Sequence, residues 1–148
     1  MHQCCIKFFI MNKQKIYQQI KAGGGRLTKV RKELVRILLE EKCLISQTKI
    51  LTKLYNKGTI PNRSTVYREL QFLMKNNILI KNTLAGIDYY EIPQDHHHHL
   101  VCLGCNLISK VKLDTHLGKQ EKKLAKQNNF NIINHSLEFY GYCHKCQA

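Results

Sequence analysis

The chain has 148 residues, 43% of them hydrophobic, and a formal net charge of +14 from 24 Lys and Arg against 10 Asp and Glu. That length and apolar content allow one ordinary domain or two small ones and exclude a disordered polymer. No segment approaches the ~20 consecutive apolar residues that span a bilayer. The charge favours a polyanionic partner, and it is uneven: residues 1–92 hold 17 basic and 6 acidic side chains, residues 93–148 hold 7 and 4.

At the N-terminus, MHQCCIKFFIM has a short apolar run broken by Lys7 and no small-residue cleavage site, so it does not read as a signal peptide. The expected location is the cytoplasm, where paired cysteines bind metal or do redox chemistry more often than they form permanent bridges. Met11 is a second candidate start. KQKIYQQIKA behind it reads as a short helix broken by GGG at 23–25.

Thr28 caps the next helical pattern, with Val30, Leu34, Ile37 and Leu38 on one face. Ser46 caps another, with Ile50, Leu51 and Leu54 facing inward, and it stops near Asn56-Lys57-Gly58. A further helix follows Pro61-Asn62. Val66, Leu70, Leu73 and Met74 form its apolar stripe, and Ser64, Tyr67, Arg68, Gln71 and Lys75 fall on the opposite side. Phe72 lies off that stripe without explanation. ILIKNTLAGIDYYEI, residues 78–92, holds two strand-like runs around Leu84-Ala85-Gly86 and reads as a hairpin.

Three helices followed by a hairpin predict a winged helix-turn-helix over residues 1–92, whose third capped helix enters the major groove of double-stranded DNA. The candidate DNA contacts are Arg63, Ser64, Thr65, Tyr67, Arg68 and Gln71. The bland alternative is a three-helix packing unit with a solvated basic surface.

Pro93-Gln94 marks a boundary. Beyond it HHHLVCLG and NLISKVKL look like strands, and Leu117, Glu121 and Leu124 lie along a basic helix. FNIINHSLEFYGY alternates, with Ile133, His135, Leu137 and Phe139 on one face. Residues 93–148 thus form a small α+β unit, too small to build a sufficient core without a metal, disulfides or a partner subunit.

Cys102-x2-Cys105 and Cys143-x2-Cys146 bracket that unit. A two-residue spacer lets a tight turn aim both thiolates at one ion, and two such turns complete a closed, structural Zn(Cys)4 tetrahedron. A single pair could equally be a thioredoxin-like redox motif. Cys4, Cys5 and Cys43 have no partner motif and read as ordinary reduced thiols.

The four cysteines fill the tetrahedron, so the run His96-His97-His98-His99 needs its own explanation. In an extended chain His97 and His99 point to one face and His96 and His98 to the other. Imidazole suits Zn, Fe, Ni and Cu, and an added carboxylate such as Glu91 moves a site towards Fe(II) or Mn(II). A surface cluster without consequence is the alternative, and His135 alone reads as a satisfied core histidine.

In this order Arg26-Leu-Thr-Lys-Val-Arg31, Ser64-Thr-Val-Tyr-Arg68, Tyr90-Glu91 with HHHHLVCLGC, and Asn134-His-Ser-Leu-Glu-Phe-Tyr-Gly141 with the last Cys pair together resemble the ferric uptake regulator (Fur) superfamily. The resemblance implies a homodimeric, metal-responsive transcription regulator, usually a repressor, with a winged helix and a C-terminal dimerisation domain. The same resemblance implies no enzymatic activity. Carried over, Tyr67 and Arg68 match the DNA-contacting pair and the four cysteines the structural zinc site. Glu91, His97 and His99 match the regulatory site, and His96 and His135, with His98 beside them, a further site.

The departures are specific. Cys43-Leu44-Ile45 stands where members often have an additional His, and Lys110 where a carboxylate commonly follows the first Cys pair. His97-His98-His99 replaces His-Asp-His, and a further Glu expected in the second unit's helix is missing, with His116 nearby as a substitute. Fewer oxygen ligands and more imidazole favour Zn2+ or Ni2+ over Fe2+ and Mn2+ as the sensed ion. A metal-independent DNA-binding protein, a peroxide sensor and, last, a zinc hydrolase or thiol oxidoreductase are the rival readings.

Overall fold

The computed structural model describes residues 11–41, 43–95, 97–113, 117–132 and 135–147. The chain divides into two compact units, one ending at Gln94 and the other beginning at Asp95. Among the described residues no helix is long and apolar enough to cross a membrane.

The first unit has four helices: α1 (Lys13–Ala22), α2 (Lys29–Glu41), α3 (Gln47–Asn56) and α4 (Arg63–Lys75). Each start has a side-chain cap. Asn12 accepts from Lys15 N–H, Thr28 from Arg31, Ser46 from Lys49 and Asn62 from Thr65. The stops follow from local geometry too, since Gly58 takes a positive φ of 69° just beyond α3. Ile16, Ile20, Leu34, Ile37, Leu38, Ile50, Leu54, Leu70 and Leu73 are all buried in one core.

Two strands, β2 (Ile80–Leu84) and β3 (Ile87–Glu91), form the expected hairpin. Its turn residues Ala85 and Gly86 have φ of 49° and 77°, the positive pair that a two-residue hairpin with right-handed strand twist requires. A short strand the sequence does not announce, β1 (Ile45–Ser46), pairs antiparallel with β3, giving the order β1-β3-β2. It ties the segment leading into α3 to the hairpin through Ile45 opposite Tyr90.

Phe72 finds its role here. The guanidinium of Arg31, which is buried, lies 4.0 Å from the Phe72 ring centroid. Arg31 Nε donates to Glu69 at 2.5 Å, and its Nη1 donates to the Arg26 carbonyl at 2.8 Å. Gly25 allows this: a Cβ there would fall 2.4 Å from Phe72 Cζ. One cation therefore joins α2, α4 and the loop after α1, and fixes how α4 is held.

The second unit contains β4 (His98–Cys102), β5 (Ile108–Val111), α5 (Gly118–Gln127) and β6 (Glu138–Gly141). The sheet order is β5-β4-β6, with β4 antiparallel to β5 and parallel to β6. The alternating run FNIINHSLEFYGY is strand only over β6; His135 and Leu137 precede it, and Ile133 lies outside the described residues. Asn129, at φ 48°, turns the chain after α5.

Arg31→Ala should lower stability by about 3 kcal/mol, because it strands the carboxylate of Glu69 and removes the partner of Phe72. Urea unfolding would show this as a lower midpoint. An unchanged midpoint would mean that the cluster contributes nothing to holding α4.

Candidate metal centres and nucleic-acid interface

The parallel pairing of β4 and β6 decides where the cysteines go. Both strands run the same way, with Cys102 opposite Gly141, so the turns that follow them emerge at one edge of the sheet. The first turn closes through Asn106 N–H to Cys102 O at 2.9 Å, the second through Cys146 N–H to Cys143 O at 2.8 Å. Gly104 leaves room for the second pair: a Cβ there would stand 2.9 Å from Cys146 Cβ.

The four Sγ atoms of Cys102, Cys105, Cys143 and Cys146 lie within 4.8 Å of one another, and Cys105 and Cys143 are 3.7 Å apart. Four sulfurs at 2.3 Å from a shared zinc would be about 3.8 Å apart, whereas a disulfide needs about 2.05 Å. The spacing thus fits a tetrahedral ion and no S–S bond. Cys143 N–H donates to Cys102 Sγ at 3.3 Å and draws that thiol down to about 6, against its burial. Crowding by the Cys143, Cys105 and Cys102 sulfurs pushes Cys146 up to about 12. Four such groups cannot all ionise without a cation among them, so the cluster fits a zinc dication held by four thiolates.

The histidines separate as an extended run requires. His97 and His99 face each other edge-on with ring centroids 4.8 Å apart. His98 stacks instead on His135, centroid to centroid 5.4 Å. The Nε2 atoms of His97, His99 and His135 are all shielded from solvent. Glu121 on α5 pairs with His135 Nδ1, so the helix in which the further Glu was expected to be missing does bring a carboxylate to this histidine. The signal was available, because Glu121 shares the Leu117–Leu124 stripe of the helix, and a charge set among apolar side chains calls for a partner. His96 and His116 lie outside the described residues. Glu91 ends β3 of the first unit and is buried.

Near the histidine run, Lys110 and Lys112 both hold the Asp95 carboxylate, at 2.6 and 3.2 Å. Although burial raises the Asp95 pKa, these hydrogen bonds bring it below the usual value.

On α4 the predicted division between faces is realised. Val66, Leu70 and Leu73 are buried, whereas Arg63, Ser64, Tyr67, Arg68 and Gln71 are exposed, Tyr67 by 50%. Thr65 is the exception among the candidate DNA contacts, half-buried with its N–H committed to the Asn62 cap. Ser64 Oγ also donates to Asn62, at 2.9 Å.

Comparison with known proteins agrees with this geometry. Residues 22–140 match the model of the ferric uptake regulator family. The ferric uptake regulation protein of Bacillus subtilis is 30% identical over 140 residues, spanning 90% of this chain and 93% of that protein. The Vibrio cholerae ferric uptake regulator has a structure similar to this one, with a TM-score of 0.76 and 31% identity, over 85% of this chain and 98% of that one. The Helicobacter pylori regulator, described as having three functional metal binding sites, gives a TM-score of 0.80 at 26% identity, over 94% of this chain and 96% of that one.

Because thiolates and protons compete for the same sulfurs, zinc affinity should fall as the pH drops from 8 to 6. Chelator competition at the two pH values checks this. Cys143→Ser should release zinc and unfold the second unit, read as zinc content and circular dichroism; retention of both would remove the tetrahedral assignment.

Proposed function

The chain belongs to the ferric uptake regulator family, and from that premise we propose that it is a metal-dependent DNA-binding transcription regulator, a repressor acting as a cytoplasmic homodimer. The observation that carries this reading is the exposed polar face of α4, where Tyr67, Arg68 and Gln71 stand free of the core that Val66, Leu70 and Leu73 fill. That face has the size and chemistry to enter a major groove, with Arg68 offering two parallel N–H donors to a guanine edge or a phosphate.

Zinc supplies a closed crosslink between the two cysteine turns and no open coordination position. Cys102, Cys105, Cys143 and Cys146 then hold the edge of a sheet that has little core of its own. The regulatory ion is assigned to His97 and His99, with Glu91 as the carboxylate. His98 and His135, with Glu121 and His96, are assigned to a further site. Imidazole-rich sets of this kind favour Zn2+ or Ni2+ over Fe2+ and Mn2+.

Dimerisation is supported by the second unit's surface. Leu100, Leu107, Phe139, Tyr140 and Tyr142 are all exposed and line a depression of about 210 Å³ beside the cysteine turns. Contiguous apolar surface of this kind in so small a unit suits a second copy of the chain.

Regulation then follows from differential affinity. If the ion binds the DNA-competent arrangement ten-fold more tightly, DNA affinity rises ten-fold, about 1.4 kcal/mol.

Fluorescence anisotropy of the zinc-retaining protein on DNA from upstream of its own gene, with Zn, Mn, Fe(II) and Ni titrated separately, should show stimulation by one ion at low concentration. His97→Ala should abolish that stimulation. Binding that ignores every ion would leave a constitutive DNA-binding protein instead. Arg68→Ala should weaken binding ten- to hundredfold, about 1–3 kcal/mol, with an unchanged unfolding midpoint. Wild-type affinity should also fall steeply with salt as counterions are released, and a flat salt dependence would argue against phosphate contacts.

A further inference from the structure

The residue just before the histidine run does more than end a loop. Asp95 O lies 3.0 Å from His97 Nδ1, and Asp95 Oδ1 lies 3.6 Å from the same nitrogen. A carbonyl oxygen only accepts, so His97 Nδ1 carries the hydrogen and donates it. In a neutral ring this leaves the lone pair on Nε2, the nitrogen that is shielded from solvent beside His99.

What keeps Asp95 in place comes from the neighbouring strand. Lys110 Nζ meets Oδ1 at 2.6 Å and Lys112 Nζ meets Oδ2 at 3.2 Å, so each carboxylate oxygen has its own ammonium. Lys110 is also the register partner of His99 across β4 and β5. The clamp thus spans the sheet from the residue that orients His97 to the residue opposite His99. It has a second effect. With both oxygens engaged, the Asp95 carboxylate is withheld from any ion between these imidazoles.

We propose that Asp95, clamped by Lys110 and Lys112, is the positioning residue that presents His97 Nε2 as a donor and sets the ion preference of the His97–His99 pair towards nitrogen-seeking metals. The inference rests on the reading of His97 and His99 as ligands. Groups that orient a ligating histidine through its other nitrogen typically change metal affinity ten- to hundredfold when removed. A second carboxylate kept out of the coordination sphere, beside the one assigned to Glu91, keeps the site from gaining a further hard oxygen of the kind Mn(II) prefers.

The sign of one substitution separates this role from simple charge repulsion. Two ammonium groups beside a cation site should oppose metal binding through space, so removing Lys110 would then strengthen it. Under the proposal the same change weakens it, because Asp95 loses its hold.

The test uses the full chain with its structural zinc. Competition against a chelating indicator measures Zn(II) and Mn(II) binding to the second site in wild type, Asp95→Ala, Lys110→Ala, Lys110→Arg and His97→Ala. Asp95→Ala and Lys110→Ala should each lower Zn(II) affinity ten- to hundredfold, and Lys110→Arg should restore it. In Lys110→Ala the released carboxylate should also lower the ratio of Zn(II) to Mn(II) affinity. Without added metal, long-range proton–nitrogen NMR should show His97 protonated at Nδ1 alone in wild type and at either nitrogen in Lys110→Ala.

Stronger Zn(II) binding in Lys110→Ala, or an unchanged tautomer, would overturn the proposal. If His97→Ala abolishes binding and Asp95→Ala leaves it intact, the positioning role fails and the ligand assignment stands. If His97→Ala itself leaves binding intact, the ligand assignment fails and the inference goes with it.

Discussion

The parallel pairing of β4 with β6 is the constraint on which the second unit depends. Parallel strands end at the same edge, so Cys102 and the turn after Gly141 arrive side by side although about forty residues separate them in sequence. An antiparallel arrangement would send the two cysteine pairs to opposite edges, and no ion could join them. The need for such a joint is plain from burial. Among the described residues of this unit, only His98, His99, Val101 and Cys102 are buried, and α5 buries none. So thin a core cannot offset the entropy of ordering the segment, and a metal crosslink at the four cysteines supplies what packing does not.

The first unit solves a different problem by different means. It has a full apolar core, and a helix proposed to read DNA is useful only if its outer face is held still. Arg31 does this from inside, stacked on Phe72 and bonded to Glu69, two residues of α4 that neither face of the helix accounts for on a simple wheel. The exposed side of α4 is then left to Tyr67, Arg68 and Gln71. Rigidity and the recognition proposed for α4 are therefore divided between the two sides of one helix, joined by a buried cation.

The histidine run shows how a chemically uniform sequence becomes specific. Strand alternation sends His97 and His99 one way and His98 the other, and each ring then acquires a different neighbour. His98 gains His135, and His97 gains the carbonyl of Asp95. Three identical side chains are thereby placed in different surroundings, and donor strength and ion preference follow from those surroundings more than from the residue type.

Local chemistry made much of this legible from the chain alone. The caps at Thr28 and Ser46, the apolar stripes of α2 to α4, the Ala85-Gly86 turn and the spacing of the cysteine pairs all depend on interactions between residues a few positions apart, which sequence order records directly. Three features depended on distant segments meeting: β1 joining the hairpin, Arg31 reaching Phe72 and Glu69, and Glu121 pairing with His135 across a loop. Short-range periodicity carries no record of such partners, because one helical or strand pattern is compatible with many neighbours. Packing chose among them, and with that choice turned a polar residue on a helix face into a partner for a histidine, and an aspartate at a loop end into the residue that aims one.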